Sequence, residues 1–165
     1  MTAQEPIEIK PATLADAEGI SRMVIRTTLR ETNSQDYAPE IIDALVSNYS
    51  PERVALLIAN RRAYVAITHA VIVGTASLQD SAIRTVFVDP DYQANGIGTR
   101  LVDMIEKVAR ASSIPKLNVP SSLTAEGFYR KLGYHAVREE LHGHERTIIM
   151  EKHFPLQLGE GQSKV

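Results

Sequence analysis

The chain has 165 residues, 44% of them hydrophobic and 23% charged, with a formal net charge of -2 and no cysteine. That length suits one domain with a substantial core, and the near-neutral balance provides no general attraction to nucleic acid or anionic membranes. The missing cysteine excludes disulfides, thiolate metal ligands and a cysteine nucleophile together.

The opening "MTAQEPIEIK" lacks the basic start and apolar centre of a secretory leader. No apolar run approaches the ~18 residues of a membrane span, so the expected address is the cytoplasm and no membrane partner is expected. In "PIEIKPA", Ile7 and Ile9 stand two apart, which suits a short strand with one buried face. "TLADAEGISRMVIRTTLRE" then changes to helical spacing: Ala17, Ile20 and Val24 share a stripe, and Thr13 or Asp16 can cap the helix.

Two short helices are expected in "APEIIDALVSNYSPERVALLIANR", where Ile42, Val46 and Tyr49 recur at helical spacing and Ser50-Pro51 forms a cap and first-turn pair. From Ala63 to Val88 the residues become β-branched or small and apolar, with short breaks at His69 and Asp80. Three strands in an antiparallel meander follow.

Residues 97 to 112 predict an amphipathic helix with Leu101, Ile105 and Val108 on one face. "KLNV" predicts a strand, "LTAEGFYRKL" a helix, and two late strands flank "HGHER". The chain divides into a single domain over residues 1–154 and a flexible tail over residues 155–165. There is no internal repeat and no low-complexity segment.

The hexapeptide "QANGIG", residues 93 to 98, stands where a strand gives way to a helix. A glycine turn into a helix start presents unpaired N–H groups and the positive end of the helix dipole, a combination that binds phosphate without lysine. A tight turn would use the same glycines for backbone freedom alone. The dinucleotide fingerprint fails because residue 101 is Leu, and the Gly-Lys-Ser/Thr ending of a Walker A loop is also absent.

A wider frame does fit. "VFVDPDYQANGIGTRLVDMIE" resembles the acetyl-coenzyme A loop of the GCN5-related N-acetyltransferase (GNAT) superfamily, in which a strand ending V-x-P leads to Q/R-x-x-G-x-G/A and a helix. Val88, Pro90, Gln93, Gly96 and Gly98 hold the matching positions. Downstream, "SLTAEGFYRKLGY" resembles the second hallmark of the superfamily through Ser122, Ala125, Tyr129, Gly133 and Tyr134. The resemblance covers nearly the whole chain apart from its ends.

The resemblance implies an α+β fold, a mixed and strongly twisted central sheet of about six to seven strands flanked by about four to five helices. Strands 82–88 and 115–119 would splay apart, and coenzyme A would enter the gap with its pantetheine arm along the backbone of Phe87 and Val88. The N–H groups of Gln93, Ala94, Asn95, Gly96, Ile97, Gly98 and Thr99 would hold the pyrophosphate, with Arg100 near the adenosine phosphates or simply solvated. Ser122 would cap its helix, contact the pantetheine, or both.

Tyr129 matches the tyrosine that protonates the leaving thiolate, a general-acid role, with cofactor packing as the alternative, whereas Phe128 reads as core. The implied reaction is direct attack by an amine on acetyl-CoA in a ternary complex, with the carbonyl polarised by a backbone N–H such as that of Val88. The alternatives are a non-catalytic acyl-CoA binding or regulatory module and a plain nucleotide-binding domain.

Many relatives carry a glutamate on the strand before the loop, but "IRTVFV" contains no acid. Candidates for the base are Glu31, Asp36 and Tyr37 in "RETNSQDY", of which Glu31 is the choice. Asp80 can cap a turn. His69, His135, His142 and His144 read as surface histidines, and no metal is expected. The acceptor is an amine on a small molecule or a peptide, Tyr37 and Tyr49 are either an aromatic wall or core, and the sequence leaves a homodimer open.

Overall fold

The computed structural model describes residues 6 to 31, 39 to 143 and 145 to 155. Among them no helix is long and apolar enough to cross a membrane. β1 (Glu8–Pro11) is followed by a 3-10 turn (Leu14–Asp16) and α1 (Ala17–Glu31). α2 (Pro39–Asn48) and α3 (Pro51–Asn60) precede the meander β2 (Arg62–Thr68), β3 (Val71–Gln79) and β4 (Ala82–Val88). A second 3-10 turn (Pro90–Tyr92) leads to α4 (Ile97–Ala111), β5 (Lys116–Ser121), α5 (Glu126–Lys131), β6 (His135–His142) and β7 (Glu145–His153).

The seven strands form one mixed sheet in the order β1-β2-β3-β4-β5-β7-β6, in which only β4 and β5 pair in parallel. Strand alternation divides the core between its two faces. On β2, Val65 belongs to a cluster with Ala17, Ile20, Met23 and Val24 of α1 and Val54 of α3. Its neighbour Ala66 belongs to the larger cluster with Ile97, Leu101 and Ile105 of α4. α1 and α3 therefore cover one face and α4 the other.

Local chemistry explains most boundaries. Asp16 accepts the Thr13 N–H at 2.8 Å, and Ser50 Oγ accepts the Arg53 N–H at 3.3 Å ahead of Pro51. His69 and Ala70 both have positive φ, 52° and 60°, as a two-residue hairpin turn twisted to match its strands demands. Leu101 and Ile105 are fully buried, each burial contributing roughly 1.5–3 kcal/mol. Gly74 on β3 permits this packing, since a Cβ there would stand 3.0 Å from Leu101 and 3.1 Å from Ile97.

Two expectations need adjustment. The stripe read over residues 42 to 49 is only partly covered: Ile42 and Tyr49 are half-buried, but Val46 is 45% exposed. α5 starts at Glu126, three residues later than its apolar pattern suggests, because residues 122 to 125 form a turn closed by Ala125 N–H to Ser122 O at 3.2 Å.

Candidate active site

β4 and β5 share a single registered pair, Ala82 with Asn118, supported by the Asn118 N–H to Ser81 O bond of 2.9 Å. The cause lies on β4. Thr85 has φ 55°, and the β3 register slips between Thr75 and Ser77, so two β4 residues oppose one on β3. Such a bulge bends its strand and ends regular pairing, and β4 leaves β5 beyond this point. A cleft opens between the C-terminal ends of the two strands.

Backbone parity decides which groups face the cleft. The Asp89 N–H donates to Val73 O at 2.9 Å, so Asp89 turns its polar backbone to β3. Polar groups alternate sides along a strand. Val88 therefore points its N–H and C=O away from β3, into the cleft, and its carbonyl accepts from Gln93 Nε2 at 3.2 Å. Phe87, opposite Thr75, turns its backbone to β3 and packs its ring edge-on against Tyr49 at 5.9 Å.

The loop that follows is fixed by acids. Asp89 is fully buried, pairs with Arg26 of α1, and accepts the Asp91 N–H at 3.0 Å at the start of the 3-10 turn. Arg30, one helical turn beyond Arg26, reaches Asp91 at 3.0 Å. Ala94 and Gly96 then take φ of 67° and 75°, and Gly96 caps α4 without a side-chain bond. Within the described residues, no backbone carbonyl takes the N–H groups of residues 94 to 99; the first helical bond runs from Arg100 to Gly96 O. A left-handed turn beside an uncapped helix start is a concave set of donors for an anion.

Gly98 joins this loop to α5. A Cβ there would stand 3.2 Å from Phe128 and 3.7 Å from Val88 Cγ2, so the ring of Phe128 lies across the first turn of α4 beside the end of β4. Tyr129 packs edge-on to Phe128 at 5.0 Å and to Tyr134 at 5.8 Å, and is 5% exposed. Burial pushes its hydroxyl well above the usual tyrosine range, because the phenolate would lose its hydration. Ser122 Oγ accepts the Ala125 N–H at 3.2 Å and shapes the turn before α5.

The chain belongs to the GNAT acetyltransferase family. The family described as Acetyltransferase (GNAT) domain matches residues 33–153. The chain is 29% identical over 134 residues to the uncharacterized N-acetyltransferase YafP of Escherichia coli (strain K12), covering 81% of this chain and 85% of that protein. The crystal structure of a GCN5-related N-acetyltransferase from Rhodopseudomonas palustris superposes with a TM-score of 0.78 at 25% identity, covering 93% and 99% of the two chains. The PaiA N-acetyltransferase from Thermoplasma acidophilum, solved in complex with coenzyme A, gives 0.77 at 20% identity over 90% and 99%. The protein is thus an acetyl-CoA-dependent N-acetyltransferase of GNAT type.

The structure of this GNAT enzyme brings most of the expected site residues to one place. Val88 and the loop of residues 93 to 99 stand at the cleft, Tyr129 is buried behind Phe128, which touches Gly98, and Ser122 stands at the turn before α5. Arg100 is exposed on the first turn of α4. On the acceptor side, Glu31 ends α1 beside Arg30, but its side chain, like Asp36 and Tyr37, lies outside the described residues. Tyr49 is part of the second core cluster. His69 and His135 are exposed, Asp80 turns the β3–β4 hairpin with φ 55°, and His144 and the His142 side chain lie outside the described residues.

Sequence reasoning missed the anchors. Asp89 lies inside "DPD", where an acid directly before proline at a strand end is a recognisable turn signal. Glu106 was also missed. It is buried on α4, accepts from Tyr134 Oη at 2.8 Å and Lys152 Nζ at 3.1 Å, and Lys152 also donates to Leu132 O at 2.8 Å. This network ties α4 to β7 and to the segment carrying Tyr129 and Tyr134.

Proposed function

We propose that the enzyme transfers the acetyl group from acetyl-CoA to a primary amine by direct attack in a ternary complex. The observation that carries the reading is convergence: the Val88 N–H turned away from β3 and the donor loop of residues 94 to 99 stand beside one interrupted strand ladder, and Phe128, which touches Gly98, packs on the buried Tyr129. The loop N–H groups and the dipole of α4 suit the coenzyme pyrophosphate. The Val88 N–H suits the thioester carbonyl, where a fixed donor is worth most as negative charge develops on oxygen.

The amine must arrive neutral, so its proton passes to a base. Glu31 is our choice, standing at the end of α1 next to the arginine that grips the loop. As the carbon–sulfur bond breaks, Tyr129 gives its phenolic proton to the thiolate. Its raised proton affinity keeps it in the acid form across the neutral range, and the proton returns from solvent after product leaves. The acceptor is an amine on a small molecule or a peptide end.

The test is calorimetric titration with acetyl-CoA followed by thiol release against a pooled library of amines, for the native chain and for Tyr129→Phe. We expect binding in both, amine-dependent thiol release in the native chain, and a loss of about 10²- to 10⁴-fold in kcat for the variant. Unchanged kcat in Tyr129→Phe would remove the general-acid role. Binding without thiol release from any amine would leave a coenzyme-binding module.

A further inference from the structure

We propose that the β6–β7 hairpin carries a surface site for a divalent transition-metal ion of the zinc type, held by His135, Glu151 and His153. The proposal is independent of the acetyl-transfer reading. It comes from register: His135 pairs directly with Glu151 across the hairpin, and His153, two residues further along β7, projects to the same face as Glu151. One nitrogen from each histidine and one carboxylate oxygen lie within 4.8 Å of one another.

The arrangement is ordered from below. Glu151 Oε2 accepts from Lys116 Nζ at 3.3 Å, and Oε1 stands 3.5 Å from His153 Nε2. The lysine on β5 thus holds one carboxylate oxygen and leaves the other facing the imidazoles, the orienting contact that metal-ligating carboxylates commonly have. The two imidazole rings lie nearly parallel, 12° apart with centroids at 6.1 Å, on the exposed side of the hairpin. Lys152, between the two β7 ligands, points the opposite way, to Glu106.

Two imidazoles and a carboxylate are the donor set of open zinc sites, at metal–ligand distances of about 2.0–2.2 Å. Drawing the three atoms onto such an ion asks for rotation of the two exposed imidazoles toward the partly buried Glu151 carboxylate. Magnesium and calcium prefer all-oxygen sets and gain little from imidazole. The remaining position would take water, and the ion would clip the first residue of an edge strand to the last residue of its neighbour. The sequence-based expectation of no metal weighed His135 without His153, because only the hairpin register joins residues 18 positions apart.

The test uses the full chain without an affinity tag, treated with EDTA, dialysed, and titrated calorimetrically with zinc chloride beside a thermal melt. We expect one ion per chain, a rise in Tm with zinc and none with magnesium. His135→Ala and His153→Ala should each weaken zinc binding by at least about tenfold, the scale seen even for groups behind the ligands, with His142→Ala unchanged. The His135→Ala and His153→Ala variants should melt like the native chain in EDTA, as exposed substitutions do. The proposal is overturned if millimolar zinc gives neither heat nor a Tm shift, or if the His135→Ala/His153→Ala double variant binds as the native chain does.

Discussion

β5 treats its two neighbours in opposite ways. Toward β7 it pairs at every residue from Lys116 to Ser121, and toward β4 it pairs once. On the β7 side, backbone groups satisfy one another and a buried Glu106–Lys152 contact adds a cross-link to α4. On the β4 side, past the bulge at Thr85, the Val88 N–H points away from β3 and no described backbone carbonyl takes the N–H groups of residues 94 to 99. Unpaired backbone groups are tolerated only where water or a ligand satisfies them. The site is therefore an unfinished sheet, and the finished half of the same strand holds it in shape.

The finished side is broken most directly by Glu106→Ala, which strands Lys152 and the Tyr134 hydroxyl. Removing one member of a buried pair costs about 3–5 kcal/mol, and the lower end is expected because Lys152 keeps some access to water. Urea unfolding should show the loss, while the folded variant still binds acetyl-CoA with native affinity. A stability within experimental error of the native chain would remove the network from its structural role.

The unfinished side is broken by Gly96→Val. A Cβ at residue 96 meets nothing within 4 Å, so the penalty is φ strain of about 1–3 kcal/mol, together with a methyl-bearing side chain where the coenzyme phosphates would approach. Calorimetry should find weaker acetyl-CoA binding in a chain that still folds. Native affinity would show that the loop is a turn and not a cradle. Gly98→Val is a poorer probe, because it would collide with Phe128 and disturb α5 as well.

Alkaline unfolding sharpens the contrast with a smaller signal. Burial, and then the Glu106 carboxylate, raise the proton affinity of Tyr134, while burial alone raises that of Tyr129. Both are protonated in folded and unfolded chains below the ordinary tyrosine value of 10.0, so their contribution is complete there. Above it the unfolded chain ionises first, and stability falls by about 1.4 kcal/mol per pH unit for each such group. Tyr134→Phe should flatten the fall above pH 10, measured from urea midpoints, and an unchanged slope would mean that the hydroxyl ionises freely in the fold.

The same contrast marks what could be read in the sequence. The turn into α4 was legible because its signals are local: Pro90, Gly96 and Gly98 act through their own backbones, and the following helix shows its face by spacing. The order of strands in the meander was legible for the same reason. Asp89, Glu106 and His153 act through partners 63, 28 and 18 residues away, Arg26, Tyr134 and His135 respectively. A charged or titratable residue read alone looks solvated until the fold supplies its partner. Val46 failed in the other direction, since helical spacing creates an apolar face without saying whether anything covers it.

Under the proposed function, Arg26 and Arg30 would give the two halves of the reaction a common handle. They stand one turn apart on α1 and hold Asp89 and Asp91, the acids on either side of Pro90, and so tie the end of α1 to the entrance of the donor loop. The exposed Arg30–Asp91 pair is weak by itself, but the buried carboxylate of Asp89 makes the joint costly to open. Under the proposed function, a coenzyme seated on the loop would also order the end of α1, and thermodynamic reciprocity would have an acceptor bound at α1 tighten the coenzyme by the same factor.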